Sequence, residues 1–206
     1  MEKSVTYQAR GLERRKALVQ ACRGLLETRH VGAFGLADVA AAAGIPKTSA
    51  YHFFPRIDDL LAAVAAGVAQ DLLAYLNRPF SGVFGSWQQV VAAFVEEGRA
   101  FYAQSRAALE MQLGPRTPAD IKNRDRYNDI SVGICLKNAI KQHFALPDLP
   151  ALDDAFFRAI EIADLMFMLS VREHDTLSDA YVREAARAAC AYLELYLPRV
   201  LPAAAD

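Results

Sequence analysis

The sequence predicts an all-α fold of about nine helices, and three observations predict it. Apolar residues recur at spacings of three and four along most of the 206 residues, the period of a helix with one buried face. No segment sustains the two-residue alternation of a half-buried strand, and no internal repeat is present. Proline, glycine and capping residues divide the pattern at helix-like intervals.

The first predicted helix, about 12–29, carries its apolar stripe on Ala17, Leu18, Ala21, Cys22, Leu25 and Leu26. The second, 36–43, stops at Gly44. The third, 47–54, stops before Pro55, which disfavours helix in the residue ahead of it. The fourth, 58–76, has Asp58 and Asp59 in its first turn, where the helix dipole favours negative charge, and Arg78-Pro79-Phe80-Ser81-Gly82 ends it. Ser86-Trp87-Gln88-Gln89 fits a capping box and opens a fifth helix to about 104. A sixth, 106–113, is closed by Gly114-Pro115. Thr117-Pro118-Ala119-Asp120 combines a capping Thr with Pro at the first helical position, opening a seventh helix to about 144. Two more follow, about 153–172 and 178–197.

A chain of this length buries roughly 70% of its unfolded surface and needs neither metal nor disulfide to fold. Its 53% apolar and 23% charged residues are globular proportions, which excludes a disordered or fibrous chain. The net charge of −1 hides an asymmetry. Through Leu60 nine Lys/Arg face six Asp/Glu (+3), and the remaining residues carry fourteen against eighteen (−4). Met1 to Lys16 is charged with no apolar core, so no secretory signal is expected, and the uncharged stretch 79–95 is too broken to span a membrane. Cys22, Cys135 and Cys190 are isolated, as expected of reduced, mostly buried thiols in a cytoplasmic protein.

Residues 35–54 read Gly-Leu-Ala-Asp-Val-Ala-Ala-Ala-Ala-Gly-Ile-Pro-Lys-Thr-Ser-Ala-Tyr-His-Phe-Phe. Two short helices meet at a turn containing Gly44, small residues 40–43 permit a close crossing, and Ile45, Ala50 and Phe54 are expected to face inward. This is a helix-turn-helix arrangement, whose second helix lies in the DNA major groove. Lys47 in its first turn opposes the helix dipole, so helix stability does not explain it, whereas a facing anion does. Thr48, Ser49, Tyr51 and His52 extend polar reach along the same side. The competing reading is a helical hairpin with a solvated polar face.

The segment 12–72 resembles the DNA-binding domain of tetracycline-repressor (TetR) family regulators. Val39-Ala40, Ala43-Gly44-Ile45, Tyr51, Phe53 and Phe54 match the family's pattern, and Leu60 matches the leucine in its fourth helix. The resemblance implies a DNA-binding domain at 12–72, with its helix-turn-helix at 35–54. It also implies a helical domain at 73–206 that dimerises and binds a small-molecule effector. The implied function is a ligand-responsive transcriptional regulator, a repressor released from a palindromic operator. On this basis Lys47, Thr48 and Ser49 read bases, Tyr51 grips a phosphate, and Phe53 holds a position often filled by Tyr or His. The sequence departs from the family at Gly35, where a capping Ser or Thr is usual, and at Ile57, where Lys is frequent. Arg56 is the candidate replacement for the phosphate contact at Ile57. Arg10, Arg14 and Arg15 either add contacts from the N-terminal side or form a solvated helix start.

In the C-terminal body, the eighth predicted helix is charged only at Arg158, Glu161 and Asp164 between Phe156 and Leu169, so it is expected to be buried from more than one side. The ninth gathers Val182, Ala186, Ala189, Leu193 and Tyr196 on one face, the expected dimer interface or else an intrachain core. Gly67, Gly98 and Gly133 lie mid-helix, leaving room for a ligand or for close helix crossing. Phe94, Gly98, Phe101, Tyr102, Tyr127 and Ile134 are the expected ligand-lining residues, among the fourth, fifth, seventh and eighth helices.

No metalloprotease, nucleophile-elbow or phosphate-loop motif is present, so neither an enzyme nor a cofactor is expected. Glu173-His174-Asp175 is read as a solvated loop rather than a metal site. A helical adaptor without DNA binding is the alternative, which leaves Lys47 to His52 unexplained.

Overall fold

A computed structural model describes residues 2–124 and 126–204, with side chains described at 10–121 and 129–204. Ten helices lie among the described residues: α1 (Glu2–Leu26), α2 (Leu36–Ala42), α3 (Lys47–Phe53), α4 (Ile57–Leu76), α5 (Trp87–Ala103), α6 (Arg106–Gln112), α7 (Ala119–Arg124), α8 (Arg126–Lys141), α9 (Leu152–His174) and α10 (Asp179–Leu193). The seventh predicted helix corresponds to α7 and α8 together. Asp125, between them, lies outside the described residues. α1 starts ten residues before its predicted start, because the apolar stripe used to find it begins only partway along an uninterrupted helix.

The head is α1–α3 with the first half of α4. Leu18, Cys22 and Leu26 of α1 are buried against Leu36, Val39 and Ala40 of α2, Ala50 and Phe54 at α3, and Leu60, Leu61 and Val64 of α4. Neither α2 nor α4 has a side-chain cap at its first residue. Instead the Gly35 N–H donates to Asp38 Oδ2 at 2.8 Å and the Arg56 N–H to Asp59 Oδ2 at 3.1 Å. An acid three residues into each helix thus binds the amide at its mouth. Gly35 costs α2 little, because the Asp38 N–H that a capping hydroxyl would accept donates instead to the Gly35 carbonyl at 3.0 Å and glycine is itself a tolerated N-cap.

α4 is long and apolar enough to cross a membrane by length and composition, but it is a core helix, packed on α1, α5, α6 and α8. Its C-terminal half enters the body, where α9 lies between α8 and α10 and α5 packs on both α8 and α10. A single apolar cluster runs from Leu18 in the head to Leu201 near the C-terminus.

Two local details depart from expectation. Thr117 does not cap the helix after it; its hydroxyl donates backwards to the Glu110 carbonyl at 2.8 Å, which also accepts the Gly114 N–H at 3.1 Å at the end of α6. α10 ends at Leu193 instead of continuing to 197. The chain turns, buries Leu197 and Leu201, accepts a hydrogen bond from Trp87 Nε1 at the Pro198 carbonyl (2.9 Å), and pairs Ala203 with Phe144 in an isolated bridge.

The thiols are chemically quiet. Burial pushes Cys22 up to about 12 and is the first cause holding Cys190 at about 11, with Glu194 adding to it; burial also raises Cys135. Almost no thiolate forms at neutral pH, and the three cysteines are unpaired.

Gly114 and Gly67 make opposite predictions. A Cβ at Gly114 would lie 2.2 Å from the Glu110 carbonyl oxygen, whereas one at Gly67 meets no atom within 4 Å. Gly114→Ala is expected to lose about 1–3 kcal/mol and Gly67→Ala to gain about 0.5–1 kcal/mol. Urea denaturation of the two variants beside wild type checks both signs.

Candidate nucleic-acid interface and effector cavity

The turn between α2 and α3 is built from two backbone hydrogen bonds. Ile45 N–H donates to Ala40 O at 2.9 Å and Gly44 N–H to Ala41 O at 3.1 Å. With Gly44 at φ +63°, this is a Schellman closure, which glycine adopts without a steric penalty. Pro46 then starts α3. Ala50 and Phe54 are buried and Ile45 is half-buried against the same core, so the opposite face of α3 points to solvent.

On that face Lys47, Thr48, Tyr51 and His52 are exposed and Ser49 is half-buried. Lys47 Nζ lies 5.8 Å from the Tyr51 ring centroid, a cation–π pair one turn apart. Thr48, Ser49, His52 and Phe53 line an open groove whose other wall is Arg10, Gly11 and Arg14 of α1. The N-terminal arginines thus divide. Arg10 and Arg14 face the groove, while the Arg15 guanidinium sits 4.9 Å over the Phe54 ring. Phe53 is used in packing: its ring is half-buried against α1, where a Cβ on Gly11 would come within 3.8 Å of it. Arg56 is two-thirds exposed, and its guanidinium lies 3.6 Å from Asp59. A surface pair of this kind contributes ~0–1 kcal/mol, which leaves the cation free to exchange partners. Ile57 is half-buried on the core.

The head meets the body at a charged junction that nothing in the sequence marks. Glu110 of α6 is 1% exposed. Its Oε1 accepts the Val31 N–H at 3.0 Å, and Oε2 lies 3.2 Å from His30 Nδ1. Glu27, at the end of α1, accepts from the Ser105 hydroxyl (2.7 Å) and the Arg106 N–H (2.9 Å) at the start of α6. The Arg106 guanidinium reaches Asp175 at 2.9 Å, at the left-handed C-cap of α9 (φ +58°).

Deeper in the body a cavity of about 40 Å³ lies among α4, α5, α8 and α9. Phe94, Gly98 and Tyr102 line it. Phe101 sits at the edge of that stripe, with its ring against Tyr75 at 5.5 Å between centroids. Ile134 is on the outer face of α8, nearly half exposed; it is two residues beyond the lining residue Val132, roughly 200° around the helix. The Tyr127 side chain lies outside the described residues. The sequence reading missed Asp129, Asp164 and Phe167. Asp164 had a signal, as an isolated charge in an apolar helix. Gly133 serves close crossing: a Cβ there would meet the Phe157 amide at 2.9 Å.

The expected dimer stripe requires a correction. Val182, Ala189 and Leu193 are buried within the chain, because α10 spends this stripe on α9 and α5. Ala186 and Tyr196 are half-buried against the same core. The faces left to solvent lie alongside. On α9, Arg158, Ile162, Leu165, Leu169 and Arg172 follow one another at helical spacing, with Leu165 48% exposed. Beside them are Tyr192, whose hydroxyl is 3.4 Å from that of Tyr196, and Leu195, 74% exposed. The Tyr192 hydroxyl raises the pKa of both Arg158 and Tyr196 by hydrogen bonding. Among the described residues no group of His, Cys, Asp or Glu could hold a metal ion. Glu173 accepts the Tyr181 hydroxyl at 2.7 Å.

Truncating the junction carboxylate tests its weight. Glu110→Ala leaves the buried Val31 N–H without its acceptor, an expected loss of about 1–3 kcal/mol. Glu110→Gln, which keeps an acceptor oxygen, should lose less. Equal loss in both, by thermal or urea unfolding, would mean that the hydrogen bond to Val31 is not what the side chain contributes.

No family model matches the chain. It is 32% identical over 93 residues to the HTH-type transcriptional regulator AlkX of Mycobacterium tuberculosis, a match spanning 45% of this chain and 43% of that protein. A TetR-family transcriptional regulator from Streptomyces coelicolor superposes with a TM-score of 0.67 at 21% identity, over 89% of this chain and 99% of that one. RolR, in complex with the ligand resorcinol, superposes at 0.56 with 18% identity, over 91% and 89% of the two chains. The resemblance read in residues 12–72 therefore extends along the chain, which has the fold of the TetR-family transcriptional regulators.

Proposed function

We propose that the chain is a DNA-binding transcriptional regulator that works as a cytoplasmic homodimer on a palindromic operator and acts as a repressor released by a small-molecule effector. The observation that carries this reading is the outer face of α3. It presents Lys47, Thr48, Ser49, Tyr51 and His52 together, on a helix held by Ala50 and Phe54. A polar stripe flanked by Arg10 and Arg14 lies outside the buried core, and it suits a helix seated in the major groove. Lys47, Thr48 and Ser49 contact base edges, Tyr51 and Arg56 grip phosphates, His52 extends the contact, and Phe53 holds α3 at its angle to α1. In this division 12–72 is the reading domain and 73–206 the effector-binding and dimerising domain.

The effector enters the cavity among α4, α5, α8 and α9; a protein of related fold, RolR, has been crystallised in complex with the small aromatic ligand resorcinol. α4 ties that cavity to the head: Leu72 and Leu76 line it, while Leu60, Leu61 and Val64 belong to the head's core. A two-fold operator fixes the two α3 helices about 34 Å apart. A ligand that favours another spacing weakens DNA binding, and DNA weakens the ligand by the same factor. The dimer forms through the outer faces of α9 and α10, around Leu165 and Leu195.

Two sets of variants test these assignments. Lys47→Ala and Tyr51→Ala are expected to fold normally, because both side chains are exposed. Both should weaken operator binding about tenfold or more; Lys47→Ala, which removes one positive charge per subunit from the DNA interface, should also flatten the log–log salt slope by up to about 1.8 per dimer, whereas loss of the uncharged Tyr51 should leave the slope nearly unchanged. Wild-type affinity and slope in fluorescence anisotropy would remove α3 as the reader. For the dimer, Leu165→Glu should stay folded and become monomeric by light scattering, whereas Ala189→Glu buries an unpaired charge and should lose roughly 3–5 kcal/mol of stability. A stable dimer of Leu165→Glu would move the interface away from α9.

A further inference from the structure

We propose that the groove between α1 and α3 is a second DNA contact, a seat for one backbone phosphodiester held by Arg10 and Arg14 of α1 against His52 of α3. The inference rests on reading α3 as the DNA-binding helix and adds a site that reads no sequence. The groove is open to solvent, with a volume of about 460 Å³. One wall is Arg10, Gly11 and Arg14, and the other is Thr48, Ser49 and His52. Arg10 and Arg14 are four residues apart, so both guanidiniums project from one face of α1. Gly11 lies on that face without a side chain, and the half-buried Phe53 ring packs there, 3.8 Å from where a Cβ would sit.

Like charges at this spacing repel each other and destabilise a helix, so helix stability does not explain the pair. Elsewhere the chain neutralises its arginines. Arg23 of the same helix meets Asp71 at 2.6 Å, Arg99 meets both Glu96 and Asp179, and Arg106 meets Asp175. No ion pair among the described residues includes Arg10, Arg14 or the neighbouring Glu13. In residues 1–9, whose side chains lie outside the described residues, the sequence has one acid, Glu2, two helical turns before Arg10. The two guanidiniums therefore face a groove with no anion of the chain's own. A phosphodiester supplies one negative charge on two free oxygens, which forked guanidinium donors match, and a ring N–H of His52 reaches it from the opposite wall. A helix in the major groove is bordered by the sugar–phosphate backbone. α1 borders the exposed face of α3, so its arginines meet that backbone. Contacts of this kind position a reading helix and carry no sequence information.

Arg10→Gln, Arg14→Gln and the double variant test the site. Both positions are exposed, so all three variants should unfold thermally as wild type does. In fluorescence anisotropy each single variant should flatten the log–log salt slope by up to about 1.8 per dimer, and the double variant by up to about 3.6. The double variant should bind about tenfold or more weakly, on the duplex that wild type selects from random DNA and on a mixed-sequence duplex alike. Its own selection should enrich the wild-type sequence. A single neutral methylphosphonate, moved along the selected duplex, should find a position that weakens wild type and leaves the double variant unaffected. A wild-type salt slope in the double variant, or no such methylphosphonate position, overturns the site, while Lys47→Ala still decides whether α3 is the reader. An altered sequence preference overturns it too, because the arginines then read base edges. If wild type binds no duplex, the reading of α3 falls and the groove falls with it.

Discussion

A buried carboxylate joins the two halves of this molecule. Glu110 holds the Val31 amide and the His30 ring from within α6, and Glu27 answers from the end of α1 by binding the first amide and the capping hydroxyl of α6. Each element supplies the acid that satisfies the other's orphan groups. Removing either partner from such a pair leaves a desolvated charge or donor behind, so the cost of breaking it exceeds the net value of forming it. The chain from α1 to α2 is thereby fixed on the body. The orientation of the α3 face relative to α9 and α10 follows from this contact together with the continuous packing of α4.

That arrangement gives the proposed regulation a physical route. α4 runs from the head's core to the cavity wall, and α6 lies between α1 and α4, touching the Ala65 carbonyl through Gln112. The Arg106–Asp175 pair extends the junction to the end of α9, the helix whose other turns line the cavity. A displacement of Phe167 or of the cavity end of α4 therefore acts on packed helices rather than on a loose linker. Interiors packed to crystal-like density pass strain on and do not absorb it.

What was legible in the sequence was what local chemistry decides. Gly44, Pro55, Ser86 and Gly114 punctuate the chain, so helices α2 to α6 fall within a residue or so of their predicted ends. The inward Ala50 and Phe54, and hence the outward face of α3, also follow from helical period alone. What escaped depends on contacts distant in sequence. Glu110 looks like any acid in a short helix until His30 and Val31 are folded against it. Thr117 looks like an N-cap because the carbonyl it satisfies lies behind it. The stripe from Val182 to Leu193 is apolar whichever partner takes it, and only the packing of α10 on α9 and α5 decides that it stays within the chain. The carboxylates of the cavity come from α8 and α9, so no single segment shows them side by side.

The central claim is that the exposed face of α3 reads DNA in a two-fold assembly. The most direct measurement is selection by the purified chain from a pool of random duplex DNA, followed by sequencing of what it retains. The account predicts enrichment of an inverted repeat whose half-sites are centred about one helical turn, or a multiple of it, apart. Retention without any enriched sequence, or enrichment of a single asymmetric site, would contradict it.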